Sequence, residues 1–256
     1  WLLHTAEVYP ASKNQIFIAG GNINGGDGSY LIKLTGGTSN PYNISQTQFN
    51  YDFKSHADGQ SGISAIGTTP LDVNKIYVAT EDGDFFYSSN NGAAWSKSSF
   101  TGPYPAPGYG SSIYVSKLTA RLLYYGGSGY SNPPVYKSTN GGVTFKNMST
   151  GLPSTLVYDL IANTDESLLF AATEAGPYVY VVSDSTWYPF SGGIAPLSVA
   201  YTSVDYEAST NTVRFSTYGR GIWDFKITGQ PLSSPIARYN LKFRQNSNSL
   251  LLPVSK

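Results

Sequence analysis

The chain has 256 residues with 16 basic and 16 acidic side chains, so its formal net charge is zero and it lacks the global field that steers a nucleic acid or an anionic membrane. Charged residues make up 12% of the sequence, against 27 Gly and 21 Tyr, a turn-rich and aromatic-rich composition that points away from disorder and long solvated helices. With no Cys and two His, it excludes a disulfide framework, a thiolate nucleophile and a Cys- or His-rich metal centre, and no metal or cofactor is expected.

No apolar run approaches the roughly 18–20 residues that span a bilayer. The chain begins at Trp1 without a Met or a signal peptide, so a processed or partial product is expected. Its length suits one large β domain.

In chain order, "IFIAGG" from Ile16 is the first strand-like run. The following "NINGGDGSY" does not place Asn22, Asn24 and Asp27 at the alternate positions of a calcium loop and reads as a Gly-rich turn. A stretch rich in Asn, Gln, Ser and aromatics, "GTSNPYNISQTQFNYDFKSHADGQSG", then reads as an inserted loop. Its His56 and Asp58 are placed at the start of an inner strand, as ligand contacts or as hydrogen-bonding groups between repeats. "IYVATEDG" from Ile76 brings Glu81 and Asp82, and "DFFYSS" leads into "SSNNGAAW".

That last stretch recurs as "STNGGVTF". In both, Asn90 or Asn140 can close an Asx turn and Gly92 or Gly142 can take positive φ, while Ser88 or Ser138 hydrogen-bonds within the turn. Trp95 or Phe145 then starts the next strand and buries its ring against a neighbouring sheet. Between the copies, "FTGPYPAPGYGSS" carries Tyr104 and Tyr109, and "GGSGYSNPP" carries Tyr130. Stiff loops with aromatic faces suit sugar stacking, and packing between repeats suits the same rings equally. "LLFAATEAG" sets Glu174 where the earlier repeat has Glu81, and "VSDSTWYPF" is a shortened third copy of the turn. "VRFSTYGRG" from Val213 is the last strand-like run.

These runs start at 16, 76, 122, 168 and 213, so successive starts lie 60, 46, 46 and 45 residues apart. Four short antiparallel strands in about 45 residues is the size of a propeller blade, and a sandwich would not repeat strand order and turn chemistry at one spacing. The fold expected over 1–228 is an all-β propeller of about five visible blades. Residues 229–256 read as a linker marked by Pro231 and Pro235 and a basic tail, in which "ARYNLKFR" alternates as one strand would.

The two turns resemble the Asp-box, or BNR, repeat of sialidases, sortilin-type receptors and xyloglucanase-type glycosidases, all β-propellers. "HADGQSGISAI" with "IYVATEDGDFFYSSNNGAAW" is similar to the blades of the xyloglucanase-like and sortilin-like members, and "STYGRGIWDFKI" looks like the final blade of many secreted bacterial ones. The resemblance covers roughly residues 8–228 and implies an extracellular or cell-surface protein. Members usually have seven or more blades, so further blades are expected. Sialidase activity is disfavoured, because none of the five Arg lies in the family's Arg-Ile-Pro motif. Xyloglucanase-type enzymes use two aspartates across a cleft, one in a "TDxGG" context. Here "TEDGD" is shifted by one residue, which makes Glu81 or Asp82 the candidate and leaves no visible second acid. Three readings follow: a non-catalytic module binding a glycan or an extracellular protein, a glycoside hydrolase, and a structural subunit whose tail strand joins a neighbour.

Overall fold

The computed structural model describes residues 6–8, 14–37, 43–99, 112–190, 196 and 199–228, with the backbone of 240–244. Five four-stranded antiparallel sheets carry nearly all of it, each in simple up-and-down order. They are β1 (Ala6–Val8) to β4 (Ile44–Gln48), β5 (Ile63–Thr68) to β8 (Ser96–Lys97), β9 (Ser112–Val115) to β12 (Lys146–Asn147), β13 (Val157–Ala162) to β16 (Thr186–Pro189), and β17 (Tyr201–Glu207) to β20 (Asn240–Arg244). Each is a propeller blade, and the fold is all-β. The chain divides into two compact units, Trp1–Met148 with three sheets and Ser149–Lys256 with two.

The five repeated runs are the second strands: β2 (Gln15–Gly20), β6 (Ile76–Thr80), β10 (Leu123–Gly126), β14 (Leu168–Thr173) and β18 (Thr212–Thr217). In β6 and β14 every residue is buried; for β6, Ile76 and Val78 pack on the first sheet and Tyr77 and Ala79 on the third, all within the first unit. Both sequences are therefore continuous apolar runs rather than alternating ones. The fourth strands β8 and β12 have two residues each, both with a Lys, a length and charge that blunt a sheet edge.

In the first unit Phe17, Leu31, Phe53, Ile66, Val78 and Phe86 form one core, and Tyr77, Phe85, Val115, Leu123 and Tyr125 form the next. In the second unit Phe170, Phe190, Tyr201, Phe215 and Phe225 hold the two sheets together. Burying each such ring contributes about 1.5–3 kcal/mol. A bulge in β13 at Val157/Asp159 and one in β17 at Tyr201/Ser203 interrupt the ladders. Beside them Val204 donates its N–H to Asp159 Oδ2 at 3.0 Å and ties the two first strands together.

Both Ser-x-Asn-x-Gly turns have the same internal bonding. Ser88 Oγ accepts the N–H groups of Asn90 and Gly92 at 3.3 and 2.9 Å and donates to Asn90 Oδ1 at 2.9 Å, and Ser138 repeats all three bonds with the same distances. The two-residue side-chain turn belongs to the Ser, correcting the expected Asx turn; the Asn oxygen reaches further and accepts the N–H of Ala94 or Thr144. Trp95 packs edge-on to Phe53 at 4.8 Å and Phe145 edge-on to Phe85 at 4.9 Å, each against the preceding part of the first unit. The shortened copy has no Gly, and Ser185 takes φ 52° in its place.

Three local expectations are corrected. The inserted stretch is not all loop: it supplies β4 and a four-residue helix, α1 (Phe53–His56), whose N-cap Asp52 accepts the N–H groups of Lys54 and Ser29. His56 accordingly ends α1 and Asp58 lies in the connection after it, with β5 starting only at Ile63. The tail strand β20 pairs with β19 (Ile222–Thr228) in the fifth sheet, which withdraws support from the reading in which it pairs elsewhere.

Candidate functional site

In an up-and-down sheet the turn from the second to the third strand lies at the same end as the connection that enters the first strand. The described candidate residues for catalysis or binding all belong to that end of their own blade. Glu81 and Asp82 sit in the β6–β7 turn, where β7 is Phe85–Ser88, and Tyr130 sits in the β10–β11 turn, where β11 is Val135–Ser138. Glu174 sits in the β14–β15 turn, where β15 is Gly176–Val181, while His56 and Asp58 belong to the connection entering β5. Glu81 N–H donates to Gly62 O and Glu174 N–H to Leu156 O, both at 3.0 Å, so the two glutamates are backbone equivalents. Tyr104 and Tyr109 lie outside the described residues.

Around the β6–β7 turn the structure assembles a carboxylate cluster. Consecutive N–H groups of the entering connection, from Asp58 and Gly59, donate to Asp84 Oδ2 at 2.7 Å and to Asp82 Oδ2 at 2.5 Å. The Thr80 hydroxyl donates to Asp82 Oδ1, and Asp82 N–H donates to Ser61 Oγ at 3.0 Å. Asp84 is only 2% exposed and is neutralised by Lys97 at 2.8 Å; the same ammonium reaches Asp58, 78% exposed, at 2.6 Å. Lys97 enters through register, since β8 pairs Lys97 with Phe86.

Burial pushes the Asp82 carboxyl up, but hydrogen bonds from Thr80, Ser61, Gly59 and Asp84 outweigh it and leave it below the usual carboxylate range. Burial pulls Lys97 down, and Asp58 and Asp84 more than restore it, above the usual lysine range. Asp82 is thus ionised at neutral pH, with the character of a base or an electrostatic stabiliser rather than of a proton donor. The described carboxylates with displaced acidity, Asp27, Asp82, Asp165 and Glu207, are all held down. Asp82 Oδ2 also fastens the connection to the turn, while Oδ1 is held by Thr80 at the end of β6.

His56 is exposed, stacks on Tyr51 at 4.2 Å with ring planes 22° apart, and its Nδ1 bonds to Asp52 O at 2.7 Å. The Gly-rich turn before β3 (Tyr30–Gly36) is closed by Asn24 N–H on Asn22 Oδ1, and its Asp27 pairs with Lys54 at 2.7 Å. Among the described residues no three His, Asp or Glu side chains group as metal ligands, and no helix is long and apolar enough to cross a membrane. Tyr130 is 54% exposed. Two features escaped the sequence reading. Lys97 was hidden because only strand register brings it to Asp84, and Tyr218, 80% exposed in the β18–β19 turn, was hidden in a stretch read only as a closing blade.

No protein-family model matches this chain. The chain is 28% identical over 183 residues to a xyloglucanase of Hypocrea jecorina, an alignment that covers 66% of this chain and 20% of the relative. Among solved structures, a GH74 enzyme of Niastella koreensis superimposes with a TM-score of 0.60 at 20% identity, over 86% of this chain and 36% of that one. An ancestral GH74 enzyme gives 0.60 at 19% identity, over 88% and 31%. The chain therefore spans about a fifth of the curated relative it matches and about a third of these two structures. The structural likenesses establish the β-propeller fold, and the curated relative makes it a propeller similar to that of a xyloglucanase.

Proposed function

We propose that this chain is a glycan-directed propeller of an extracellular or cell-surface glycoside hydrolase of the xyloglucanase type, acting on a β-linked polysaccharide. The observation that carries the reading is the 28% identity to a xyloglucanase over 183 residues, a likeness of sequence and not of fold alone. It favours the hydrolase over the non-catalytic scaffold. Glycoside hydrolysis needs one carboxyl group that gives a proton and one that stays ionised. Asp82, held ionised in the turn, suits the second role.

A second reading has its own support. Both Asp82 oxygens are engaged within the protein, which favours blades that hold a glycan without cleaving it. Incubating the protein with xyloglucan separates the two. Release of reducing ends, reduced by Asp82→Asn, supports the hydrolase with Asp82 in its chemistry. Retardation in a xyloglucan-containing native gel without reducing ends supports binding alone. Neither effect would overturn both readings.

A further inference from the structure

The β18–β19 turn, Tyr218 to Gly221, is closed by four hydrogen bonds. Thr217 N–H and its hydroxyl both donate to Gly221 O, at 3.1 and 2.7 Å, and Arg220 N–H donates to Thr217 Oγ1 at 3.1 Å. Trp223 adds a side-chain tie, its indole N–H donating to Arg220 O at 3.0 Å. Gly219 and Gly221 take φ of +82° and +79° with open space where a Cβ would stand, so backbone conformation and not crowding calls for glycine there. None of this closure uses the Tyr218 ring, which is 80% exposed, or the exposed Arg220 guanidinium, which makes no ion pair among the described residues.

Tyr218 also follows a pattern. Among the described residues the two exposed large aromatic side chains are Tyr130 and Tyr218, and both lie in second-to-third-strand turns. Exposed aliphatic side chains occur at both ends, Ile23 in the β2–β3 turn and Leu71, Leu118, Val143 and Val182 in turns at the opposite ends, so among the described residues only the exposed rings are confined to one end. Within the first unit the second-to-third-strand turns carry Tyr130 and the carboxylate cluster, and within the second unit such a turn carries Tyr218.

We infer that Tyr218 and Arg220 form a sugar platform for a neutral β-linked glucan, an inference that rests on the glycan-directed reading above. The ring offers a flat apolar face to the C–H face of one pyranose, and Arg220 donates to its hydroxyl oxygens. Because the closed turn fixes the backbone of both residues beforehand, less conformational freedom is lost on binding.

The test is affinity gel electrophoresis of the full chain in xyloglucan, with polygalacturonate run in parallel. The expected result is that Tyr218→Ala weakens xyloglucan binding about fivefold and Tyr218→Phe stays close to wild type, since the ring face and not the hydroxyl does the binding. The thermal midpoint should not move in either variant. If the wild type binds xyloglucan and Tyr218→Ala binds equally well, the platform is overturned while the glycan-directed reading stands. A wild type that ignores xyloglucan overturns both. Retardation by polygalacturonate alone, lost in Arg220→Ala, would also overturn the platform, since it would mark an ion-pairing anion site. So would concentration-dependent self-association that falls in Tyr218→Ala while xyloglucan binding is unchanged, because the ring would then serve a protein contact.

Discussion

At the scale of single residues, the Ser-x-Asn-x-Gly turn separates backbone strain from packing. Gly141 and Gly142 both take positive φ, 72° and 83°, but a Cβ on Gly141 would first meet Tyr77 Oη at 3.6 Å, whereas one on Gly142 would fall 2.4 Å from Phe85 Cε1. Gly141→Ala should therefore cost the left-handed penalty alone, about 1–2 kcal/mol. Gly142→Ala adds overpacking against a buried ring, about 1–3 kcal/mol more. Urea unfolding of the two variants checks the difference, and equal losses would show that Phe85 yields without cost. Asp82 gives a pH prediction. Its folded-state pKa is below the unfolded one, so its contribution to stability is full above the unfolded value of 3.8 and is lost as pH falls through the lower folded value. Urea midpoints at pH 6 and pH 2.5 should fall further in the wild type than in Asp82→Asn. A steeper fall in the variant would contradict the ionised Asp82 described above.

At the scale of strands and turns, the stability of the β6–β7 turn depends on a partner that arrives from the sheet edge. Asp84 is buried, and its charge is met by Lys97 on the two-residue β8. Lys97→Met removes the ammonium and leaves a buried carboxylate with the Asp58 N–H, which should cost about 3–5 kcal/mol. Adding Asp84→Asn should recover much of that loss, because the remaining group is neutral, and thermal unfolding of the single and double variants measures the coupling. The same geometry explains what could be read from the sequence. Of the second strands, β6, β10 and β14 were legible because burial throughout writes them as apolar runs, whereas β2 and β18 are partly exposed and were legible by their spacing; the turns between third and fourth strands were legible because Ser, Asn and Gly recur there in one pattern. β4, "ISQTQ", is mostly exposed and carries no apolar period, so its sequence reads as loop. α1 is too short to show a helical period. The Lys97–Asp84 pair depends on which residues face one another across a sheet, a relation that local sequence does not encode. Asp82 is a candidate legible in the text, whereas the occupation of its Oδ2 depends on the connection folded over it.

At the scale of the whole chain, each compact unit has its own core, and the second has its outermost strand in the tail. β20 pairs with β19 through five residue pairs, from Asp224 with Arg244 to Thr228 with Asn240. Without β20, one side of β19 would present unpaired backbone groups to water, beside a core that includes Phe225 and Ile227. A chain ending at residue 229 should then open locally in the fifth sheet. Amides of 222–228 should exchange faster than in the full chain, while those of 63–80, whose sheet lies in the first unit, keep their protection. Hydrogen exchange on peptides from both proteins reads this directly. Unchanged exchange at 222–228 would mean that the tail contributes nothing to the fifth sheet and that the blade is stable with three strands. Faster exchange in both regions would mean that the two units unfold as one cooperative body. Faster exchange confined to 222–228 is the outcome that a tail-completed blade requires, and it would place the end of the folded region beyond the basic tail strand rather than before it.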